Sequence, residues 1–508
     1  MTDQELAAPT PEPRRGSIWR AASNAAWLVG ARITGDAVNV ILMVVLARRF
    51  GPAGYGQYAY GFAVATFVYY FLNPSLDQFA VRECTRLPPE GRRRLIGSLL
   101  GLQLGVAVIV AAGLLGFLWL TRATFEITAI TLILSLYQGS AAVSWTLFMP
   151  ALADQRMALA ALAEPLCRIL SILGAIVVVA GFAAPLPLAL AFFPAGGLVM
   201  LGLGIWSART HVGRFPIRIT WSETRRSIGI LWPFAGAEIA YQVWARADLI
   251  LVTQFLGLQA TGIYASAVKF FETATVPIPL AGLAAYPLLS RSAPTGERGL
   301  PKGSDRVFAG MLALGFVISW GLWFVAPLVL VPLLGTRFTP AAELLKYLAP
   351  AALLVAVEHT SGRILVAANA QKTRFHVLAI SAGCKFVLAA ALIPILGLPG
   401  AVLAWIVAWI LNAFLSVGAL LRGFSAAPVT RSAVLVLPAV AAATLAGVTI
   451  LVAKASPALA AAASLAVFAI WLTRGEFIPL VAGRPLGALI ASLRKSIRTD
   501  ERRFTKSE

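Results

Sequence analysis

The chain has 508 residues, 59% of them hydrophobic and only 13% charged, with a formal net charge of +20. Soluble domains carry about 25% charged residues, and no long stretch here is polar enough for one, so a soluble enzyme or scaffold is excluded. So positive a charge would suggest nucleic-acid binding in a soluble protein. Here the basic residues flank apolar runs, where topology and contact with anionic membrane lipids account for them, and no nucleic-acid partner is expected.

Residues 1–20, with Pro9, Pro11 and Pro13 among charges, read as a disordered cytoplasmic tail. The first apolar stretch, 25–47, is too long for a signal-peptide core and contains Arg32 and Asp36, so it reads as a retained span. Further runs of bilayer-crossing length follow at 53–73, 95–120, 126–149, 159–181, 185–208, 228–255, 259–289, 307–334, 340–367, 374–396, 399–421, 433–454 and 457–479. The sequence therefore predicts an all-α polytopic membrane protein of about fourteen transmembrane helices. With the N-terminus inside, most lysine and arginine falls in inner segments, including Arg92-Arg93-Arg94, the stretch from Arg209 to Arg226, and the C-terminal run from Arg494 to Arg503. The positive-inside rule then predicts that both ends are cytoplasmic. Cys84, Cys167 and Cys384 are too scattered for a disulfide framework or a zinc site, and read as small buried hydrophobes.

An internal repeat divides the chain. The segment Ala47-Arg-Arg-Phe-Gly51-Pro-Ala-Gly-Tyr-Gly-Gln-Tyr58-Ala59 lies over Thr253-Gln-Phe-Leu-Gly257-Leu-Gln-Ala-Thr-Gly-Ile-Tyr264-Ala265, matching Gly51 to Gly257, Gly56 to Gly262 and Tyr58 to Tyr264. A fainter echo links Asp154-Gln155-Arg156 to Ala370-Gln371-Lys372. Each unit holds an even number of spans, so the halves form a parallel pseudo-repeat, with a binding site expected between them. The expected organisation is an N-lobe of six spans over 21–208, a basic cytoplasmic linker over 209–227 and a C-lobe of six spans over 228–421. Two extra helices within 422–480 and a basic cytoplasmic tail over 481–508 complete it.

Leu46-Ala-Arg-Arg-Phe-Gly-Pro-Ala-Gly-Tyr-Gly-Gln-Tyr58 resembles the first inter-helix turn of Wzx-type oligosaccharide flippases, in the multidrug/oligosaccharidyl-lipid/polysaccharide transporter superfamily. So do its echo over 253–264, the stretch from Leu334-Gly335 to Ala341, and Leu392-Ile-Pro394-Ile-Leu-Gly397-Leu-Pro-Gly400-Ala401. The resemblance covers most of residues 20–430. It implies a V-shaped pair of lobes in a bacterial inner membrane that moves a lipid-linked oligosaccharide to the outer leaflet for O-antigen, capsule or exopolysaccharide, with glycan polymerases or ligases as possible partners. It brings no catalytic residues to carry over.

Ionisable residues inside spans are costly and normally face a partner or a wet cavity. They stand here as Arg32 and Asp36 in the first span, Glu164 and Arg168 in the fifth, and Glu238, Arg246 and Asp248 in the seventh. Lys269 and Glu272 stand in the eighth, Glu358, His359 and Arg363 in the tenth, and Lys385 in the eleventh. Glu164–Arg168, four apart, reads as a structural pair. The first, seventh and eighth spans are expected to line a hydrated cavity between the lobes. There Arg32, Arg246, Lys269 and Arg363 are candidates to hold a substrate diphosphate, and Asp36, Asp248 and Glu272 are candidates to bind a coupling proton or sodium. Gly97, Gly101 and Gly105 form a double GxxxG that fits close helix packing.

No P-loop, HExxH, GxSxG or clustered Cys/His motif appears in the sequence, so a transporter without cofactor, metal site or catalytic residues is expected. A multidrug antiporter of the same superfamily and a flippase for the peptidoglycan lipid precursor stay open. A membrane glycan polymerase fits less well, because the outer loops are short.

Overall fold

Backbone groups in lipid must be satisfied within their own segment, which favours helices over open strands. Every regular element among the described residues is a helix. The computed structural model describes residues 15–423, apart from 75, 77–82, 155, 157, 183, 218–220, 292–302 and 369, together with 462 and 464–468. The helices are α1 Arg15–Leu72, α2 Pro89–Leu120, α3 Phe125–Ala153, α4 Ala158–Phe182, α5 Leu186–Leu190 and α6 Phe192–Val212. They continue with α7 Trp221–Thr275, α8 Pro277–Arg291, α9 Ser304–Phe324, α10 Ala326–Leu334, α11 Thr339–Leu348, α12 Ala351–Ala367, α13 Gln371–Leu396 and α14 Leu398–Gly423. Among the described residues nine helices are long and apolar enough to cross a membrane, or ten if Thr336–Leu348 and Ala351–Ala367, bent by 50°, form one span.

Two of these helices are folded back on themselves. A straight helix of the 58 residues of α1 would run about 87 Å, far beyond the ~30 Å hydrocarbon core. Gly51 breaks it, with φ 67° and ψ −169°, a backbone state that glycine enters without the penalty of a Cβ. Asn39 and Phe62 would then lie about 35 Å apart on a straight helix, yet both line one cavity. Helix α7 repeats the device at Gly257, with φ 80° and ψ 179°, so Arg246 and Glu272 come within 3.4 Å. The Gly51 break therefore separates the expected spans 25–47 and 53–73, and the Gly257 break separates 228–255 from 259–289, which continues past Val276 into α8.

Other expectations shift in detail. Helix α1 begins at Arg15, inside the segment expected to be a disordered tail. The expected linker 209–227 narrows to the stretch between Val212 and Trp221. The run expected as one span over 340–367 divides into α11 and α12 at Ala349-Pro350, and 307–334 divides at Val325 into α9 and α10. The expected spans 433–454 and 457–479 and the tail 481–508 lie outside the described residues, apart from 462 and 464–468. The total of fourteen therefore rests on residues that are not described. Phe468 stacks on Phe316 at 4.1 Å, which sets that short stretch against α9.

One continuous core joins the two groups of helices, α1–α6 and α7–α14. Leu42, Leu46, Ile130 and Leu190 belong to the same buried cluster as Leu249, Tyr264, Phe338 and Ile393. Among the described residues the most extensive helix packing is α1 against α7. Large apolar side chains such as Trp119 and Phe125, 81% and 87% exposed, point outward, as suits helices surrounded by lipid. Gly97 of the double GxxxG lies so close to the Pro216 carbonyl that a Cβ would overlap it, whereas Gly105 has open space beside it. Only part of that motif is used for close packing within the chain.

Candidate functional site

The folded-back helices leave a cavity of about 650 Å³ between the two groups. From the first group, α1 contributes Asn39, Thr66, Tyr69 and Tyr70, α3 contributes Gln138 and Trp145, and α4 contributes Glu164 and Arg168. From the second, α7 contributes Gln242, Trp244, Arg246, Lys269 and Glu272, α12 Glu358 and His359, α13 Arg374, and α14 Trp405, Trp409 and Asn412. Trp405, Trp409 and Asn412 recur at helical spacing, so one face of α14 presents all three.

Each carboxylate on this wall is held by an arginine. Arg168 Nη2 lies 2.6 Å from Glu164 Oε1, and Trp145 Nε1 donates to the other oxygen at 3.0 Å. Arg246 Nη1 is 3.4 Å from Glu272 Oε1. Arg374 pairs with Glu358, whose second oxygen is 3.6 Å from His359 Nδ1. Lys269 adds a fourth cation against three carboxylates, leaving the wall with a positive excess. The cavity side chains of Arg246 and Glu272 keep 29% and 33% exposure, in keeping with charges that are hydrated as well as paired.

A second charged cluster lies behind the wall. Asp248 and Lys385, 3% and 2% exposed, meet at 3.0 Å. The Tyr264 hydroxyl donates to Asp248 from across the Gly257 break. Lys385 also donates to the Trp244 carbonyl at 2.6 Å and sits 5.5 Å from the Trp244 and Trp405 ring centres. Two residues along a helix point to opposite sides, which is why Arg246 faces the cavity and Asp248 the protein.

Toward one end the cavity narrows into a chamber of about 90 Å³ lined by Tyr55, Tyr58, Ala59, Leu249, Ala265 and Val268, with Arg246, Lys269 and Glu272 shared between the two spaces. At the same end as the Gly51 and Gly257 breaks the groups touch through backbone. A Cβ on Gly56 would overlap the Leu258 carbonyl, and one on Gly262 would overlap the Pro52 carbonyl. These are matching positions of the internal repeat, so the contact is symmetric in register. Arg48 fastens it by donating from Nε to the Leu333 carbonyl at 2.7 Å and from Nη2 to the Pro332 carbonyl at 2.6 Å. Those are last-turn carbonyls of α10, which lack partners within the helix.

Of the residues singled out in the sequence, Arg246, Lys269 and Glu272 come together on the cavity wall. Asp248 does not line it and is engaged with Lys385 and Tyr264. Arg363 is not among the lining residues either, and lies against Gly282 of α8. Arg32 and Asp36 stand in the first part of α1, and their side chains lie outside the described residues. The sequence reading gave no cavity role to Glu164–Arg168, Arg374 or the tryptophans. The tryptophan spacing on α14 was a usable signal, whereas nothing local marks Arg374 as the partner of Glu358.

A family model described as polysaccharide biosynthesis protein matches residues 21–293, more than half of the chain. No curated protein matches it in sequence. Among solved structures, the lipid II flippase MurJ in an inward closed conformation superposes with a TM-score of 0.70 at 13% identity, covering 90% of this chain and 99% of that one. An inward-facing multidrug resistance transporter of the MATE family, in the MOP superfamily, gives 0.52 at 11% identity over 78% and 97%. The MATE multidrug transporter DinF-BH gives 0.51 at 14% identity over 82% and 98%. At such identities the likeness is one of fold.

Proposed function

The chain belongs to the polysaccharide biosynthesis protein family, and on that premise we propose that it is a flippase carrying a polyprenyl-diphosphate-linked oligosaccharide from the cytoplasmic to the outer leaflet. It is a multi-pass membrane protein with the fold of MOP-superfamily transporters. The observation that carries the reading is the 650 Å³ cavity between the helix groups, where cations outnumber carboxylates and every carboxylate is already paired.

The headgroup of such a lipid is anionic at the diphosphate and polar through the sugars, while its hydrocarbon remains in the bilayer. The wall suits that division. Arg246, Arg168 and Arg374 each present a planar guanidinium, which binds phosphate oxygens in pairs, and Asn39, Gln138 and Asn412 offer amides for sugar hydroxyls. With the basic segments in the cytoplasm, the Gly56–Gly262 seal faces outward and the cavity is entered from inside. The lobes 21–208 and 228–421 then rock about the site, so that the seal parts as the inner side closes. Surface glycan of the O-antigen, capsule or exopolysaccharide class is the product this serves, with a glycan polymerase or ligase downstream.

The antiporter reading needs carboxylates free to take a cationic drug or a coupling ion, and the three on this wall are held by arginine. A peptidoglycan-precursor flippase shares both the fold and the charge logic, and differs in the lipid that accumulates when transport stops. The test is a deletion strain in which surface polysaccharide and inner-leaflet lipid-linked oligosaccharide are both measured. Loss of surface glycan with build-up of its lipid-linked unit is expected. Unchanged glycan with new sensitivity to cationic drugs would overturn the proposal, and build-up of the cell-wall precursor instead would redirect it to that lipid.

A further inference from the structure

Trp244 of α7 and Trp405 and Trp409 of α14 form one aromatic wall of the cavity, with ring centres 5.2 Å apart for Trp244–Trp409 and 5.6 Å for Trp405–Trp409. Lys385 occupies the protein side of this wall, 5.5 Å from the Trp244 and Trp405 ring centres, and Phe271 packs edge-on against Trp405 at 4.9 Å.

The polar atoms of the lining add a second, independent observation. Among the described lining residues, three buried side-chain atoms lack a hydrogen-bond partner: Trp409 Nε1, Arg246 Nε and Arg374 Nη1. All three are donors, and all belong to the second helix group. Each arginine spends one nitrogen on its carboxylate and keeps another without an acceptor. Buried donors are nearly always satisfied in native proteins, so this wall calls for a ligand rich in acceptors. A bare phosphate brings acceptors but no flat apolar face for indole. A cationic aromatic brings the face but no acceptors. A sugar ring next to a diphosphate brings both.

We propose that Trp244, Trp405 and Trp409 form the subsite for the first sugar ring of the lipid-linked substrate. The apolar C–H face of the pyranose lies on the indoles, and a hydroxyl or acetamido oxygen accepts from Trp409 Nε1. The adjoining diphosphate takes the spare nitrogens of Arg246 and Arg374. Trp244, Trp405 and Trp409 are 6%, 7% and 8% exposed, so the indoles must turn toward the cavity before their faces and the Trp409 N–H meet the sugar. The inference rests on the flippase reading and adds which part of the substrate each wall recognises.

The test uses the purified full chain in nanodiscs and two probes, undecaprenyl diphosphate bearing one N-acetylhexosamine and undecaprenyl diphosphate alone. The wild type is expected to bind the sugar-bearing lipid at least about tenfold more tightly. Trp409→Phe keeps a ring but removes the N–H, and should abolish most of that ratio while leaving affinity for the bare lipid unchanged. Trp405→Phe should keep most of the ratio, and Trp119→Phe, on the outward face of α2, all of it. A ratio unchanged in Trp409→Phe, with the bare lipid still bound, overturns the subsite and leaves the flippase standing. Equal loss in Trp405→Phe and Trp409→Phe overturns the N–H contact. Binding of tetraphenylphosphonium with neither lipid bound by the wild type overturns the flippase reading itself.

Discussion

Helices α1 and α7 break at matching glycines, Gly51 and Gly257, and meet through matching glycines, Gly56 and Gly262. In that same register Val40, Leu42, Ala63 and Thr66 stand where α7 carries Arg246, Asp248, Lys269 and Glu272. At these four positions the repeat has kept the backbone's needs in both halves and charge in only one, while Arg32 and Asp36 of α1 fall in register with Glu238 and Gln242 of α7. Charge within a membrane is costly wherever it stands, so a duplicated fold gains nothing by duplicating it. The first half instead brings its charge from α4, as Glu164–Arg168, and lines the cavity otherwise with tyrosines and amides. Two walls of one cavity can therefore read different parts of a ligand.

Giving α7 the residues of α1 tests this difference between the halves most severely. Lys385→Met leaves Asp248 buried without its cation, with the Tyr264 hydroxyl still donating to it, which should cost about 3–5 kcal/mol and lower the melting temperature in detergent. Adding Asp248→Leu, the residue α1 carries at that position, should restore most of the loss; a double variant as unstable as the single would mean that the pair does more than neutralise itself. Next in size, Gly56→Ala and Gly262→Ala each force a Cβ into a facing carbonyl and should destabilise by about 1–3 kcal/mol. Both disrupt one contact, so their effects should fall short of additive, and full additivity in thermal unfolding would argue against a shared seal.

Arg246→Val, again the residue of α1, should lower flipping in reconstituted vesicles by about tenfold or more, as expected for losing a charged hydrogen bond. Pairing it with Glu272→Thr relieves the stranded carboxylate, and transport should nevertheless stay low; recovery would assign Arg246 a purely structural part. The smallest effect belongs to Arg48→Ala. It removes two donors from exposed carbonyls, should cost about 1 kcal/mol, and should raise thiol labelling of Ala265→Cys in a background lacking the three native cysteines.

The helices were legible because lipid demands long apolar runs, and the two breaks because a glycine pattern recurs at 51–59 and 257–265. The division of 340–367 was not. Pro350 sits at that break, but Pro150, Pro165 and Pro394 sit inside helices, so a proline does not by itself tell a bend from a continuous span. Site partners followed the same divide. Glu164–Arg168 is local, and spacing finds it. Glu272 stands three residues from Lys269, yet the fold brings Arg246 to it across the Gly257 break, and Arg374 reaches Glu358 from another helix. Pairings of that kind depend on how helices return past each other, which no local period encodes.

In the closure at Gly56 and Gly262 the two glycines themselves bring no rotamers to freeze when it forms and none to release when it parts. Ordinary interdigitated packing must sort its side chains each time two surfaces rejoin. The ordering this contact needs therefore falls to the side chains around it, Arg48 foremost, whose guanidinium must find the Leu333 and Pro332 carbonyls.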